Sequence, residues 1–261
     1  MAENADRHSR WMGRNGAKDV VRAEVWRALI DSGVNVGPTF GHIPNFVGAD
    51  EAARRLSELD AWKAARVVKC NPDPPQIPLR LRALYDGKLL FSPVPYLIKG
   101  FPYLRIDPDR LAARGVDFET AATAQGFMAH GEPIAFEDMP TLDFCVVGCV
   151  AVTRRGGRTG KGAGFADLEQ GIFRELGKVN ERTPIATCVH SSQVVAEGRV
   201  VMEGHDSALN FIATELELID TRTPYQQPAG VAWEKILPDQ FADIPFLRDV
   251  RAAIEARRSA K

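Results

Sequence analysis

Nine residues without a charge or a side-chain amide, Phe144-Cys145-Val146-Val147-Gly148-Cys149-Val150-Ala151-Val152, lead into a segment of opposite character, Gly156-Gly157-Arg158-Thr159-Gly160-Lys161-Gly162-Ala163-Gly164. An apolar run of that length predicts a strand buried on both faces, as in a parallel sheet covered by helices. The glycines that follow tolerate φ > 0 and carry no Cβ, so the backbone can turn freely and lie close to a ligand. Phe165 to Leu176 can form a helix. Strand, glycine loop and helix together make an anion cradle, because the unpaired N–H groups and the positive dipole end of the helix face the loop. A surface loop without a ligand is the alternative. The segment is not a P-loop: three residues, not four, separate Gly156 from Gly160, and Gly162 rather than Ser or Thr follows Lys161. Nor is it the dinucleotide signature, since Gly160, Gly162 and Gly164 are spaced GxGxG.

The rest of the chain bounds what such a cradle can serve. At 261 residues, 45% of them hydrophobic, the chain can bury one large core. Lys+Arg 33 against Asp+Glu 34 calls for neither nucleic acid nor an anionic membrane, so any basic site is local. Cys70, Cys145, Cys149 and Cys188 form no CxxC pair, which predicts reduced, buried thiols in a cytoplasmic protein. No apolar run approaches a membrane span, and no HExxH or similar histidine spacing predicts a metal site.

Residues 1–15 are polar and are expected to form a flexible arm, with Trp11 as a possible anchor among His8, Arg7 and Arg10. From Lys18 to Ile30, Val21, Val25, Ala28 and Leu29 recur at helical spacing, and Lys18 and Arg22 project from nearly one side. Such a pair is either a solvated face or part of a site. Helices are predicted over 49–59 and 78–85, and strands over 65–70, 88–91 and 184–189. An extended piece is expected around Pro95 to Ile98, and a loop over Gln193 to Gly198. Asn71-Pro72-Asp73-Pro74-Pro75 can only be an extended connection. Strands alternating with helices predict an α/β domain over 16–225, followed by a Pro-rich tail, 226–261, whose last helix docks through Leu247, Val250 and Ile254.

Gly157-Arg158-Thr159-Gly160-Lys161-Gly162-Ala163-Gly164-Phe165-Ala166-Asp167 resembles the G-x-R-x-G-x-G-x-G-Y-Y-D block of the 5-formyltetrahydrofolate cyclo-ligase family, with a slight offset in the glycines. Lys18 and Arg22 in the first helix, an Asp-led strand at Asp143, and His205-Asp206 followed by Thr214-Glu215 occur in the family's order. Ile43-Pro44-Asn45-Phe46 and Asn71-Pro72-Asp73 are similar to its divergent branch, the methenyltetrahydrofolate synthetase domain proteins.

The resemblance implies a Rossmann-like three-layer sandwich of the NagB/RpiA/CoA-transferase type, with a largely parallel sheet and helices on both faces. It also implies ATP and Mg2+. In the family, ATP phosphorylates the formyl oxygen on N5 of the folate, N10 attacks the activated carbon, and phosphate leaves. By position, Lys18 and Arg22 approach the terminal phosphates, and Arg158, Lys161 and the backbone of Gly160, Gly162, Gly164 and Phe165 hold the chain. Lys18, Arg158 and Lys161 are then the catalytic cations, and Asp167 binds the metal.

The departures from the pattern are specific. Phe165-Ala166 stand where the family has Tyr-Tyr, Gly148 to Thr153 stand where it has a strand-end acid, and its pterin-binding Glu has only Gln76 nearby. Tyr96, Tyr103 and Trp62 are candidate replacements. The reading is therefore a cyclo-ligase acting on a folate or a related small molecule. A paralogue with a non-folate substrate, or a non-catalytic nucleotide- or RNA-binding protein, are the alternatives. No membrane partner is expected, nucleic acid is disfavoured, and the oligomeric state is left open.

Overall fold

The computed structural model describes residues 14–97 and 102–259, the side chain of Tyr96 apart. Residues 1–13 of the expected arm, with Trp11, and Ile98 fall outside these residues; the end of the arm is ordered, Asn15 capping α1. In chain order the elements that matter below are α1 (Gly16–Asp31), α2 (Ala49–Ser57), β1 (Val67–Cys70), α3 (Ile77–Tyr85), β2 (Leu89–Pro93), β3 (Tyr103–Ile106), β4 (Glu132–Ile134), β5 (Phe144–Val146), β6 (Ala151–Thr153), β7 (Arg158–Thr159), α4 (Phe165–Glu175), β8 (Ile185–Cys188), β9 (Val194–Val195), β10 (Phe211–Ala213), β11 (Leu218–Asp220) and α5 (Leu247–Ser259).

Among the described residues, eight strands form one sheet in the order β11-β10-β8-β5-β1-β2-β3-β4. The central run from β10 to β2 is parallel, whereas β11, β3 and β4 add antiparallel edges. The five parallel strands, taken in chain order, lie 2-1-3-4-5, so the direction of winding reverses between β1 and β5. Crevices at the carboxyl ends of strands open at such a point.

Strand alternation sorts the core. Val68, Cys70, Leu90, Phe144 and Val146 face α2 and α3, while Phe91, Cys145, Ile185 and Ile212 face α4 and α5. Helices therefore cover both faces. Lys69 faces the second layer yet is fully buried. The docking stripe of α5 is as expected, with Leu247, Val250 and Ile254 buried. No helix of the described residues is long and apolar enough to cross a membrane.

Several expectations need correction. The apolar run 144–152 is not one strand: β5 ends at Val146, and β6 belongs to a second, three-stranded sheet, β9-β6-β7. The chain changes sheets at Gly148, where a Cβ would lie 2.7 Å from Asp73 Oδ2 and about as close to Ile43 as atoms can pack. Gly156 and Gly157 are not part of an open cradle either. They make the turn between β6 and β7, Gly156 at φ 90°, so Arg158 and Thr159 are strand residues. Finally, Pro95–Leu97 is a single 3-10 turn, Val194–Val195 pairs in the small sheet instead of looping, and β3, which the sequence reading missed, lies just beyond.

Candidate functional site

A cavity of about 650 Å³ opens at the switch point, between the carboxyl ends of β1 and β5. One wall is the glycine loop 160–164 with the start of α4; Asn71, Pro72 and Asp73 form the opposite side. Every expected site residue lines it: Lys18, Arg22, Arg158, Gly160, Lys161, Gly162, Gly164, Phe165 and Asp167.

The first helix delivers its two cations by continuing its own core stripe. Asn15 caps α1, its side chain accepting from Lys18 N at 3.0 Å, and Val21, Val25 and Leu29 bury the following turns. Lys18 and Arg22 stand on that same side and are only 7% and 5% exposed, which rules out the solvated-face reading. Lys18 Nζ lies 2.5 Å from Asp206 Oδ2, a partner 188 residues away. Arg22 Nε donates to the Gly160 carbonyl at 2.7 Å, fastening α1 to the loop. Burial pulls the Arg22 guanidinium downward, and Asp19 beside it works the other way.

Arg158 is 2% exposed. Its Nη1 donates to Asp167 Oδ1 and Oδ2 at 3.0 and 3.2 Å, and Ser207 N donates to the same Oδ1 at 2.8 Å. Burial opposes the Arg158 charge, but Asp167, with Asp206 and Glu169 behind it, outweighs that and raises its pKa. Arg158 Nε is buried with no partner among the described residues. Such an unsatisfied donor costs stability unless a ligand meets it. Lys161, on the loop, stands 4.0 Å from Asp73 across the opening. Gly164 precedes α4 at φ 73° with open space where a Cβ would be, so the helix N-terminus is reached by backbone alone.

Other expected residues serve elsewhere. Asp143 Oδ2 accepts from Arg66 N and Val67 N, and Glu215 accepts from Ser191; both are structural. Gln76 Oε1 accepts from Asn71 N. Trp62 is buried against Phe144 with its indole on Asp86, and Tyr103 is buried in the second core, so neither replaces an aromatic at the cavity. All four cysteines are free and buried, and burial pushes Cys70 up to about 12.

Two groups of lining residues escaped the sequence reading. Asn71 and Asp73 follow β1, where the strand order itself places ligands, but their Pro-rich segment looked like mere connection. The second group is the tail. Val231, Ile236, Leu237 and Gln240 close the cavity from the C-terminal side. This strap crosses α4 at Gly171, where a Cβ would lie 3.0 Å from the Gly230 carbonyl, and Gln240 Nε2 donates to Ala163 O at 3.4 Å.

A family model described as the 5-formyltetrahydrofolate cyclo-ligase family matches residues 17–215. Methenyltetrahydrofolate synthase domain-containing proteins of Bos taurus and Homo sapiens are 36% and 34% identical over 237 and 238 residues, 90% of this chain in each case. The chain spans 62% of the length of either relative. An NMR structure of 5,10-methenyltetrahydrofolate synthetase from Aquifex aeolicus has a TM-score of 0.50 at 18% identity, covering 84% of this chain and 99% of that one, a likeness of fold.

Proposed function

We propose, from the premise that the chain belongs to the 5-formyltetrahydrofolate cyclo-ligase family, that it is an ATP-dependent cyclo-ligase-like enzyme acting on 5-formyltetrahydrofolate or a closely related small molecule. The observation that carries this reading is the gathering of Lys18, Arg22, Arg158 and Lys161 with a glycine loop and a helix N-terminus on one cavity at the sheet's switch point. The finer fold assignment, the NagB/RpiA/CoA-transferase type, and a cytoplasmic setting go with it; the 2-1-3-4-5 strand order and the buried free thiols support them.

The residues present fit a polyphosphate. Phosphoryl transfer asks for donors and cations around charge that spreads in the transition state, and for few groups beyond that. Arg158, held from behind by Asp167, has its Nε unpartnered and its position fixed before any ligand arrives. Lys18 exchanges part of its bond with Asp206 for a phosphate oxygen, so its charge is used without being freshly buried. The loop backbone and Lys161 hold the remaining anionic oxygens.

For Mg2+ the fit is narrower. Among the described residues no three His, Cys, Asp or Glu side chains cluster as a metal cage. Magnesium commonly takes one or two carboxylates and completes its shell with water and phosphate oxygens. Asp167 and Asp73, both on the cavity, are the acids that would hold it. When bound, it neutralises phosphate charge. Because Asp167 already accepts from Arg158 and Ser207 N, its first role here is to orient the arginine.

The test mixes purified protein with 5-formyltetrahydrofolate and ATP-Mg and follows the near-ultraviolet absorbance of the methenyl product. Product formation that needs ATP is the expected result. Its absence, with ATP still bound, would redirect the same phosphorylation chemistry to a non-folate acceptor.

A further inference from the structure

Beneath the cavity lies a buried ionic cluster centred on Glu169, whose carboxylate also supports the Arg158 charge from a distance. Lys69, on β1, is 0% exposed, and its Nζ stands 2.7 Å from Glu169 Oε2 on α4. Lys69 also donates to Asn71 Oδ1. Tyr103 on β3, also fully buried, donates to the same Glu169 Oε2 at 2.8 Å. The core around Tyr103 is apolar, with Phe91, Cys145, Phe136 and Phe173, while buried Arg158 lies on the Glu169 side close enough to feel its charge. Taking a lysine and a glutamate out of water into such a layer is costly, and an apolar pair of similar volume commonly does as well or better for stability. The cluster therefore calls for a reason other than folding.

Its geometry supplies one. Glu169 is only 2% exposed, yet it lines the cavity, as does Asn71. Both bonds of its carboxylate fall on Oε2, and Oε1 has no partner among the described residues. A carboxylate offers about four lone-pair sites and no donor. What remains at the cavity floor is thus a pure acceptor, aimed by two rigid partners. Lys69 balances its charge, and Tyr103 fixes its rotation.

We propose that Glu169 is a substrate-recognition residue, its Oε1 accepting N–H donors from the edge of a bound heterocycle, with Lys69 and Tyr103 as positioning residues. The edge it fits carries contiguous donors, such as the 2-amino group and neighbouring ring N–H of a 2-amino-4-oxopteridine. An adenine edge, where the amino group adjoins an acceptor nitrogen, sets that acceptor against the carboxylate. Naming the ring as the pteridine of a folate rests on the cyclo-ligase reading; the acceptor and its preference for contiguous donors do not.

The experiment is a binding cycle on the full chain. Wild type and Glu169→Gln are titrated with pterin, with 5-formyltetrahydrofolate, with its analogue lacking the 2-amino group, and with ATP. A hydrogen bond to a charged group is worth roughly tenfold to a hundredfold in affinity, and Glu169→Gln should lose about that much for pterin and 5-formyltetrahydrofolate while ATP changes less than about twofold. The analogue should bind wild type as weakly as 5-formyltetrahydrofolate binds the variant, and the two losses should not multiply.

Full multiplication of the losses, equal affinity of wild type and variant for pterin, failure of wild type to bind pterin, or a loss confined to ATP would each overturn the assignment. Methenyl formation, recorded on the same wild-type sample, separates the two readings. Turnover without Glu169 dependence removes this inference alone; Glu169-dependent pterin binding without turnover removes the cyclo-ligase reading alone. If Glu169→Gln does not fold, Lys69→Met with Glu169→Gln, which removes both charges, carries the same cycle.

Discussion

The two walls of the cavity are built on different principles. The glycine-loop wall, inside the family match, is polar and held by bonds to buried partners: Arg158 to Asp167, Asp167 to Ser207 N, Lys18 to Asp206, and Arg22 to the Gly160 carbonyl. The strap wall lies beyond residue 215. It presents Val231, Ile236 and Leu237, and is seated by backbone contact at Gly171, one bond from Val231 N to Glu175, and the longer one from Gln240. Charge must be placed to a fraction of an ångström to act on a phosphate, which demands several bonds per group. Shape needs only packing. Under the proposed function, the loop wall carries the chemistry and the strap decides what fits beside it.

The largest effect should come from cutting the charged network. Arg158→Ala leaves Asp167 without its cation, and breaking a buried pair on one side costs about 3–5 kcal/mol. Urea denaturation should show that loss, together with loss of ATP binding by calorimetry. A variant as stable as wild type would mean that the pair is loosely solvated.

On the strap side, Gly171→Leu forces a side chain into the crossing with Gly230 and Val231. Overpacking of this kind costs about 1–3 kcal/mol. Trypsin should then cleave at Lys235 faster than in wild type, and small-molecule selectivity should relax while ATP affinity holds. If cleavage is unchanged, the strap is seated by α5 and not at this crossing.

A smaller effect tests the loop's outer cation. The Lys161 side chain is 21% exposed, so Lys161→Ala should leave stability within about 0.5 kcal/mol of wild type. ATP affinity should fall by roughly fivefold, about 1 kcal/mol, in line with one partly screened charge. An unchanged affinity would move the phosphates toward Arg158.

The least response is expected away from both walls. The Cys70 thiol, pushed up to about 12 by burial, is protonated at pH 8, and the other three thiols are raised by burial as well. Iodoacetamide at pH 8 should label none of the four in the folded protein and all four in urea. Rapid labelling of Cys70 or Cys188 in the native state would show that the first core opens on its own, and of Cys145 or Cys149 that the second does.

Much of this molecule can be read from local pattern. The stripe of Val21, Val25 and Leu29 specifies α1, and the short apolar runs within 65–70 and 88–91 specify two central strands, because backbone sterics and burial preference act over a few residues. The glycines mark the turns for the same reason: Gly156 between β6 and β7, and Gly162 and Gly164 in the loop, adopt positive φ values that other residues rarely take. That a glycine loop follows buried strand material, with Arg158, Lys161 and Asp167 beside it, is likewise written in the chain.

The rest was decided through space. No local signal tells the run 144–152 to break at Gly148, since the break arises because Asp73 and Ile43 occupy the place a side chain would need. Lys18 finds Asp206 across 188 residues, Lys69 and Tyr103 find Glu169 from two different strands, and the strap finds Gly171 on α4. Sequence determines which charges, glycines and apolar stripes are present, because these express themselves within a turn or a strand. Whether a charge is paired, a carboxylate keeps an open oxygen, or a tail becomes a wall depends on which elements pack together, and only the tertiary structure sets those distances.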